Sequence, residues 1–202
     1  MQQDKAFAEI VESALHAWTA HSWTWNRAPA FGSLVITKSS DRLILGIVHQ
    51  VQTGSMDSSR HPFPFQKTEE ELRLEQPQIF EFLKTTFTCL TVGYQEKGKF
   101  FYLLAPTPPK IHAFVSEAPP DIAAQFFSKD QYLHLLFGAS GQLYNLDELL
   151  LAILRERLIG RPISPERLEQ FMHTYALLAG NDYRRLKLFL QRAESILHAA
   201  IK

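Results

Sequence analysis

The chain has little of what usually announces a chemistry. Cys89 is its only cysteine in 202 residues, so an intrachain disulfide is excluded and packing has to hold the fold. One cysteine and eight scattered histidines supply no cluster at zinc-ligand spacing, and His16 and His21 are too irregularly spaced to share a helical face. No G-x-x-x-x-G-K-[ST] loop occurs, and no G-x-G-x-x-G follows a strand, so nothing marks a phosphate cradle. The G-x-S-x-G elbow of hydrolases is missing too; Ser140, in GASG, reads as a loop residue. Charge of either sign is not in excess, with 21 basic against 21 acidic residues, which disfavours non-specific nucleic-acid binding. No window holds the ~20 apolar residues that span a bilayer. The first residues, MQQDKAFAEIVESALHAW, are acidic and periodic, unlike a signal peptide. The expectation is a cytoplasmic protein with no cofactor and no metal.

What is present is ordinary globular material, 46% hydrophobic and 21% charged, enough for one large domain or two small ones. Phe7, Ile10, Val11, Ala14, Leu15 and Trp18 follow a helical i, i+3, i+4, i+7 pattern and predict an amphipathic N-terminal helix ending near Ala20. Trp18, Trp23 and Trp25 read as its aromatic anchor in the core. From Phe31 the texture changes. GSLVITKSSDRLILGIVHQVQTG predicts two strands joined by a polar turn at 39–42, with Gly46 marking a bulge or bend. Cys89, in an apolar run, reads as a buried structural thiol.

Residues 56–75 form a polar excursion with Pro62 and Pro64. Its three consecutive acids, Glu69, Glu70 and Glu71, read first as a solvated face and second as a carboxylate site. Pro77 opens a short helix whose inner face is Ile79, Phe80 and Leu83. A hairpin follows, with its turn at 96–99 and Gly98 supplying the permissive dihedrals. A short strand, KIHAFVS, then leads to Pro119 and Pro120, the best boundary in the chain. His112 on that strand and His49 in GIVHQV read as hydrogen-bonded structural histidines, His112 having the option of titrating in a pocket.

Beyond residue 120 the pattern is helical. Asp121 and Ser128 are expected to cap short helices reaching Phe137, and Asp147 to cap a longer one ended by Gly160. Ser164-Pro165 starts the next, with Leu168, Phe171, Met172, Tyr175 and Leu178 inward. Gly180 ends it and Asn181 caps the last, which carries Leu186, Phe189, Leu190, Ala193 and Leu197 inward. Arg155, Arg157 and Arg161 cluster at one helix end, and Arg184, Arg185 and Arg192 lie on the outer side of the last.

The predicted class is therefore α+β: a small closed or partly open antiparallel β-barrel with an N-terminal helix and a C-terminal helical part. It divides into an N-terminal helix and Trp-rich lead-in (1–28), a barrel with inserted loop and short helix (29–118), and a helical region (121–202). The stretch from about Gly32 to Val115 resembles the HAS-barrel of HerA-type ATPases and ATP-synthase major subunits, and in particular stand-alone, cyanobacterial-type HAS-barrel proteins. The strings GSLVITKSSDRLILGIVHQVQTGS, EQPQIFEFLKTTFTCLTVGY and LAPTPPKIHAFV carry the resemblance, over somewhat under half the chain. In those ATPases the barrel does no chemistry and packs against neighbouring copies. This chain lacks the phosphate loop and motor domain, so the resemblance implies no catalytic residue.

Three functional readings follow, in order of support. The first is a non-enzymatic interaction or assembly module, accessory to a ring ATPase or another multi-subunit complex. It would contact another protein, or itself, through Arg60, His61, Phe63, Phe65 and Glu69 of the long loop. The second is a small-molecule binder or enzyme with a pocket between barrel and helices, using His112 and Glu70. The third is a nucleic-acid accessory factor using the helical arginines.

Overall fold

The computed structural model describes residues 5–57, 63–158, 164–180 and 182–200, with side chains up to residue 196. Seven strands form one antiparallel sheet: β1 (Ala8–Ser13), β2 (Ala17–Ser22), β3 (Leu34–Ser39), β4 (Arg42–Ser55), β5 (Leu83–Glu96), β6 (Lys99–Phe101) and β7 (Phe114–Glu117). Their order is β2-β1-β7-β3-β4-β5-β6, and a further pairing of β2 with β5 closes six of them into a barrel. The α+β class with a closed barrel is thus the architecture of this chain. Both predicted hairpin turns fall where the sequence puts them. Ser39 pairs with Arg42 and Glu96 with Lys99, and the turns use positive φ at Ser40 (56°), Lys97 (49°) and Gly98 (77°).

The N-terminal helix is not formed; residues 8–22 are the hairpin β1–β2. The apolar residues fit two periods at once. Ala8 and Ile10, then Trp18 and Ala20, alternate as strands require and all are buried, whereas Val11 and Leu15, essential to the helical reading, are exposed. Tertiary context decides between the two. The edge of β5 from Thr86 to Leu90 offers a full run of backbone partners to β2, which a helix could not use.

Strands β4 and β5 are buried on both faces through Ile44–Val48 and Cys89–Val92, and they separate two cores. Phe7, Ile10, Trp18, Val35, Val48, Phe87 and Cys89 fill the barrel interior. On the outer wall, Leu34, Ile36, Leu45, Ile47, Leu90 and Val92 join one apolar cluster with the helices. Burying each of these side chains contributes roughly 1.5–3 kcal/mol. The register of β4 against β5 slips beside Gly46, as a bulge there predicts, and Gly46 lies directly under the Trp18 indole.

The helical cover is α2 (Pro120–Phe126), α3 (Tyr132–Gly138), α4 (Leu146–Leu158), α5 (Pro165–Leu178) and α6 (Tyr183–Ala200); α1 (Glu69–Glu75) and a 3-10 helix (Pro77–Phe82) lie in the β4–β5 connection. Several expected caps differ. Pro119 precedes α2 without a side-chain cap, Ser128 donates back to the Gln125 carbonyl, and Asn145 rather than Asp147 accepts from the first N–H groups of α4. Asp147 is thereby free to hold Arg185 (2.9 and 2.7 Å) and to accept from the Tyr175 hydroxyl (3.1 Å), tying α4, α5 and α6 together. Ser164 does cap α5, and Gly180 follows it with φ of 69°. In α6, Phe189 and Ala193 point inward but Leu190 is exposed. Gly160, Arg161, Asn181 and the Leu197 side chain lie outside the described residues.

Candidate functional site

Past the last β3 partner, Ile47, and the last β2 partner, Thr86, strands β4 and β5 go on pairing to Ser55 and Leu83. Gln50, Val51, Gln52 and Thr53 of β4 are exposed, and from the Thr53–Thr85 pair onward the two strands leave the barrel as a two-stranded ribbon. A Thr53–Thr85 hydroxyl contact (2.7 Å) and the bond from Met56 N–H to the Phe82 carbonyl (2.8 Å) hold it together. The Thr85 hydroxyl also donates to the Trp25 carbonyl, which draws the segment after β2 onto the ribbon.

The connection between the two strands is ordered from its own sequence. Thr68 and Glu71 form a capping box on α1, and the Thr68 backbone N–H and hydroxyl hold the Glu71 carboxyl below its ordinary range. Glu69 accepts two bonds from Arg73 one turn later (3.0 and 2.7 Å). So held, the Arg73 guanidinium lies 4.8 Å from the Phe80 ring centre and 5.9 Å from that of Trp25, and these two rings stack at 5.3 Å. In the same connection, large apolar side chains stay in solvent: Met56 (50% exposed), Phe82 (55%) and Leu74 (85%). Phe63 (72%) packs edge-on against Phe65 at 5.8 Å.

Of the residues singled out in the loop, Arg60 and His61 lie outside the described residues. Phe63 and Phe65 meet each other, and Glu69 serves to position Arg73. Sequence reasoning missed Arg73, which is exposed, and its contact with the half-buried rings of Trp25 and Phe80. The Glu69–Arg73 spacing of four was the available signal, but nothing in the order of residues brings Trp25 to them.

His112 and Glu70 are not brought together. Glu70 is exposed on α1. His112 is not on a strand but in the turn before β7, with φ of 66°, its side chain 78% exposed and its Nδ1 2.5 Å from Glu9 Oε1. It borders a hollow of about 260 Å3 over Ile36, Leu43 and Phe114, whose lining includes no helical residue. That is below the ~300–1,000 Å3 of small-molecule sites. His49 is half-buried and its pKa is lowered by desolvation. Cys89 is fully buried in the barrel, and burial pushes its thiol pKa well up, away from reactivity. Among the described residues, no group of three His, Cys, Asp or Glu is placed to hold a metal ion.

Three of the helical arginines face other elements: Arg157 donates to the Phe127 carbonyl and the Tyr132 hydroxyl, Arg185 holds Asp147 and Arg192 pairs with Glu148, while among the described residues Arg155 meets only its neighbour Glu156. No described helix is long and apolar enough to cross a membrane.

The molecule is thus a closed six-stranded barrel with helices packed on its outer wall and an aromatic, arginine-bearing face on a projecting ribbon. The chain matches no family model and no curated protein.

Proposed function

We propose that this protein is a non-enzymatic interaction module of the cytoplasm that docks onto a partner protein within a larger assembly. The carrying observation is the exposed Arg73 held over the stacked, half-buried Trp25 and Phe80 rings, in a connection that also leaves Met56, Leu74 and Phe82 exposed. Tryptophan, arginine and large apolar groups dominate binding energy at interfaces. A cluster of them left in water costs solubility, and an interface is the usual reason for keeping one. Prior ordering by the capping box and the Glu69 clamp lowers the entropy lost on binding.

The HAS-barrel resemblance adds to this reading. Of the segments that carry the resemblance, residues 34–39, 42–55, 83–94 and 114–115 are barrel strands, while 75–82 and 104–113 are connections, and HAS-barrels pack against other chains. A ring ATPase or a comparable multi-subunit complex is the partner class it favours. The test is capture of the tagged protein from native lysate beside an Arg73→Glu/Phe82→Ser variant and a Phe63→Ser/Phe65→Ser variant. A stoichiometric partner held by the unaltered chain and lost from the Arg73→Glu/Phe82→Ser variant is the expected result, with the unfolding free energy lowered by no more than about 1–2 kcal/mol, the scale of the Glu69 pair and the ring contacts that Arg73 gives up. Undiminished capture by that variant, or recovery of the protein alone, would refute the reading.

A further inference from the structure

A second surface, away from the aromatic sandwich, carries a more specific inference that rests on the docking reading. Strand β6 is the end strand of the sheet and, among the described residues, pairs with β5 alone. Residues flanking a two-residue turn exchange both backbone bonds, so Lys99 and Phe101 are turned towards β5. The N–H and C=O of Phe100 therefore point to the open edge. Along that edge, between β6 and α2, runs a crevice of about 610 Å3. Its floor is Phe100 and Tyr102, both packed on the buried Phe126 (6.0 and 5.1 Å between ring centres), with the Tyr102 hydroxyl donating to the Phe126 carbonyl at 2.6 Å. Its rim carries Lys99 and Lys129, and no carboxylate lines it.

The positive charge continues round the hairpin. A second hollow of about 230 Å3 is lined by Lys38, Arg42 and Lys97, with Asp41 as its one acid. Of these bases Arg42 is already committed to Glu96, at 2.9 Å. In a chain whose charges balance overall, this end of the barrel is a local basic track.

We propose that the crevice between β6 and α2 takes an extended acidic peptide of a partner protein, one large apolar side chain entering over Phe100 and Tyr102 and its acidic neighbours meeting Lys99, Lys129 and Lys97. Charge complementarity selects the sign of the ligand. Two basic hollows in series suit a linear segment better than a compact anion, which would fill only one. The free edge of β6 offers a backbone contact that an extended peptide can use. The floor rings are packed down on Phe126 rather than standing out as base-stacking platforms, so a peptide fits better than a nucleic acid.

The test is fluorescence anisotropy of the full chain with a fluorescein-labelled peptide, Glu-Asp-Glu-Phe-Asp-Glu-Asp, in low salt. Comparators are the same peptide with Gly for Phe, one with Lys for every acid, and labelled oligothymidylate. The acidic Phe peptide should bind at least about tenfold more tightly than each comparator, and Lys99→Glu/Lys129→Glu should weaken it by about tenfold or more, the scale of charge-pair effects at interfaces. Both lysines are exposed, so the unfolding midpoint of that variant should not change and a folding defect is separable. Equal binding of the acidic and basic peptides, insensitivity to the lysine reversals, or tighter binding of oligothymidylate would each overturn the proposal. The Arg73→Glu/Phe82→Ser variant should bind the peptide normally. Loss of native-partner capture in that variant, with no peptide binding by any form, would overturn the crevice while leaving the docking reading intact.

Discussion

Replacing Gly46 with alanine tests the placement of the N-terminal residues inside the barrel. A methyl group on Gly46 would lie 2.7 Å from Trp18 Cζ2, 2.9 Å from Cys89 Cβ and 3.1 Å from Trp18 Cε2. Ordinary carbon contacts need about 3.5–4.0 Å, so the indole must retreat by roughly 0.8 Å or more within a packed interior. The Cys89 contact is with Cβ, which any residue but glycine keeps, so relief has to come from Trp18 or from the backbone. Overpacking of this kind costs about 1–3 kcal/mol, or roughly 2–12 °C in unfolding temperature for a chain of this size.

The second arm of the cycle is Trp18→Phe, which vacates the contested space. It loses apolar burial, but it also removes an indole N–H that is buried with no partner among the described residues, a group whose desolvation costs about 1–3 kcal/mol. In the Trp18→Phe background, Gly46→Ala should therefore cost much less than in the natural chain, with a coupling of about 1–2 kcal/mol between the two positions. Urea unfolding followed by far-ultraviolet circular dichroism measures all four corners. If residues 7–18 were a helix lying outside the barrel, Trp18 would not touch Gly46. Additive costs, within about 0.5 kcal/mol, would therefore refute the strand assignment.

Other consequences are open to direct measurement. The Cys89 thiol should not react with a disulfide reagent in the folded protein and should react fully in denaturant; a fast native-state reaction would contradict its burial in the barrel. Burial pushes the Tyr132 phenol up to about 12 and raises Tyr175 and Tyr102 as well. A raised folded pKa means that the stabilisation is complete below the unfolded value near 10 and is lost as pH rises towards 12, about 2–3 kcal/mol for Tyr132. The phenolate absorbance of these three should thus rise late and together with unfolding, and early titration of all six tyrosines in a still-folded protein would be inconsistent with this. Asp147→Ala leaves Arg185 and the Tyr175 hydroxyl without their shared acceptor and should cost about 1–3 kcal/mol, allowing for partial exposure of the pair. A urea midpoint equal to that of the natural chain would show that the three helices do not depend on it.

Much of the architecture was legible because its causes are local. The turns at 39–42 and 96–99, the bulge beside Gly46, the Ser164 cap and the stop at Gly180 each follow from the dihedral or hydrogen-bonding needs of a few adjacent residues. The apolar periodicity of α4 and α5 likewise places Leu150 and Ile153, and Phe171 and Tyr175, on buried faces. Where a segment fits two periods, its own residues leave the choice open. Residues 8–18 suit a helix or a strand, and the free edge of β5, far along the chain, makes them strands because only a strand satisfies both backbones. The candidate site depended still more on tertiary structure. Glu69 and Arg73 are a local pair, but Trp25 reaches Arg73 and Phe80 only because β2 closes the barrel on β5 and Thr85 holds the Trp25 carbonyl. The sequence by itself determined the two hairpin turns, the Ser164 cap and the buried faces of α4 and α5, which are settled within one or two turns of chain. Only the tertiary structure decided which edges pair and that the Trp25 and Phe80 rings meet, since those contacts join residues remote in sequence whose proximity no local propensity encodes.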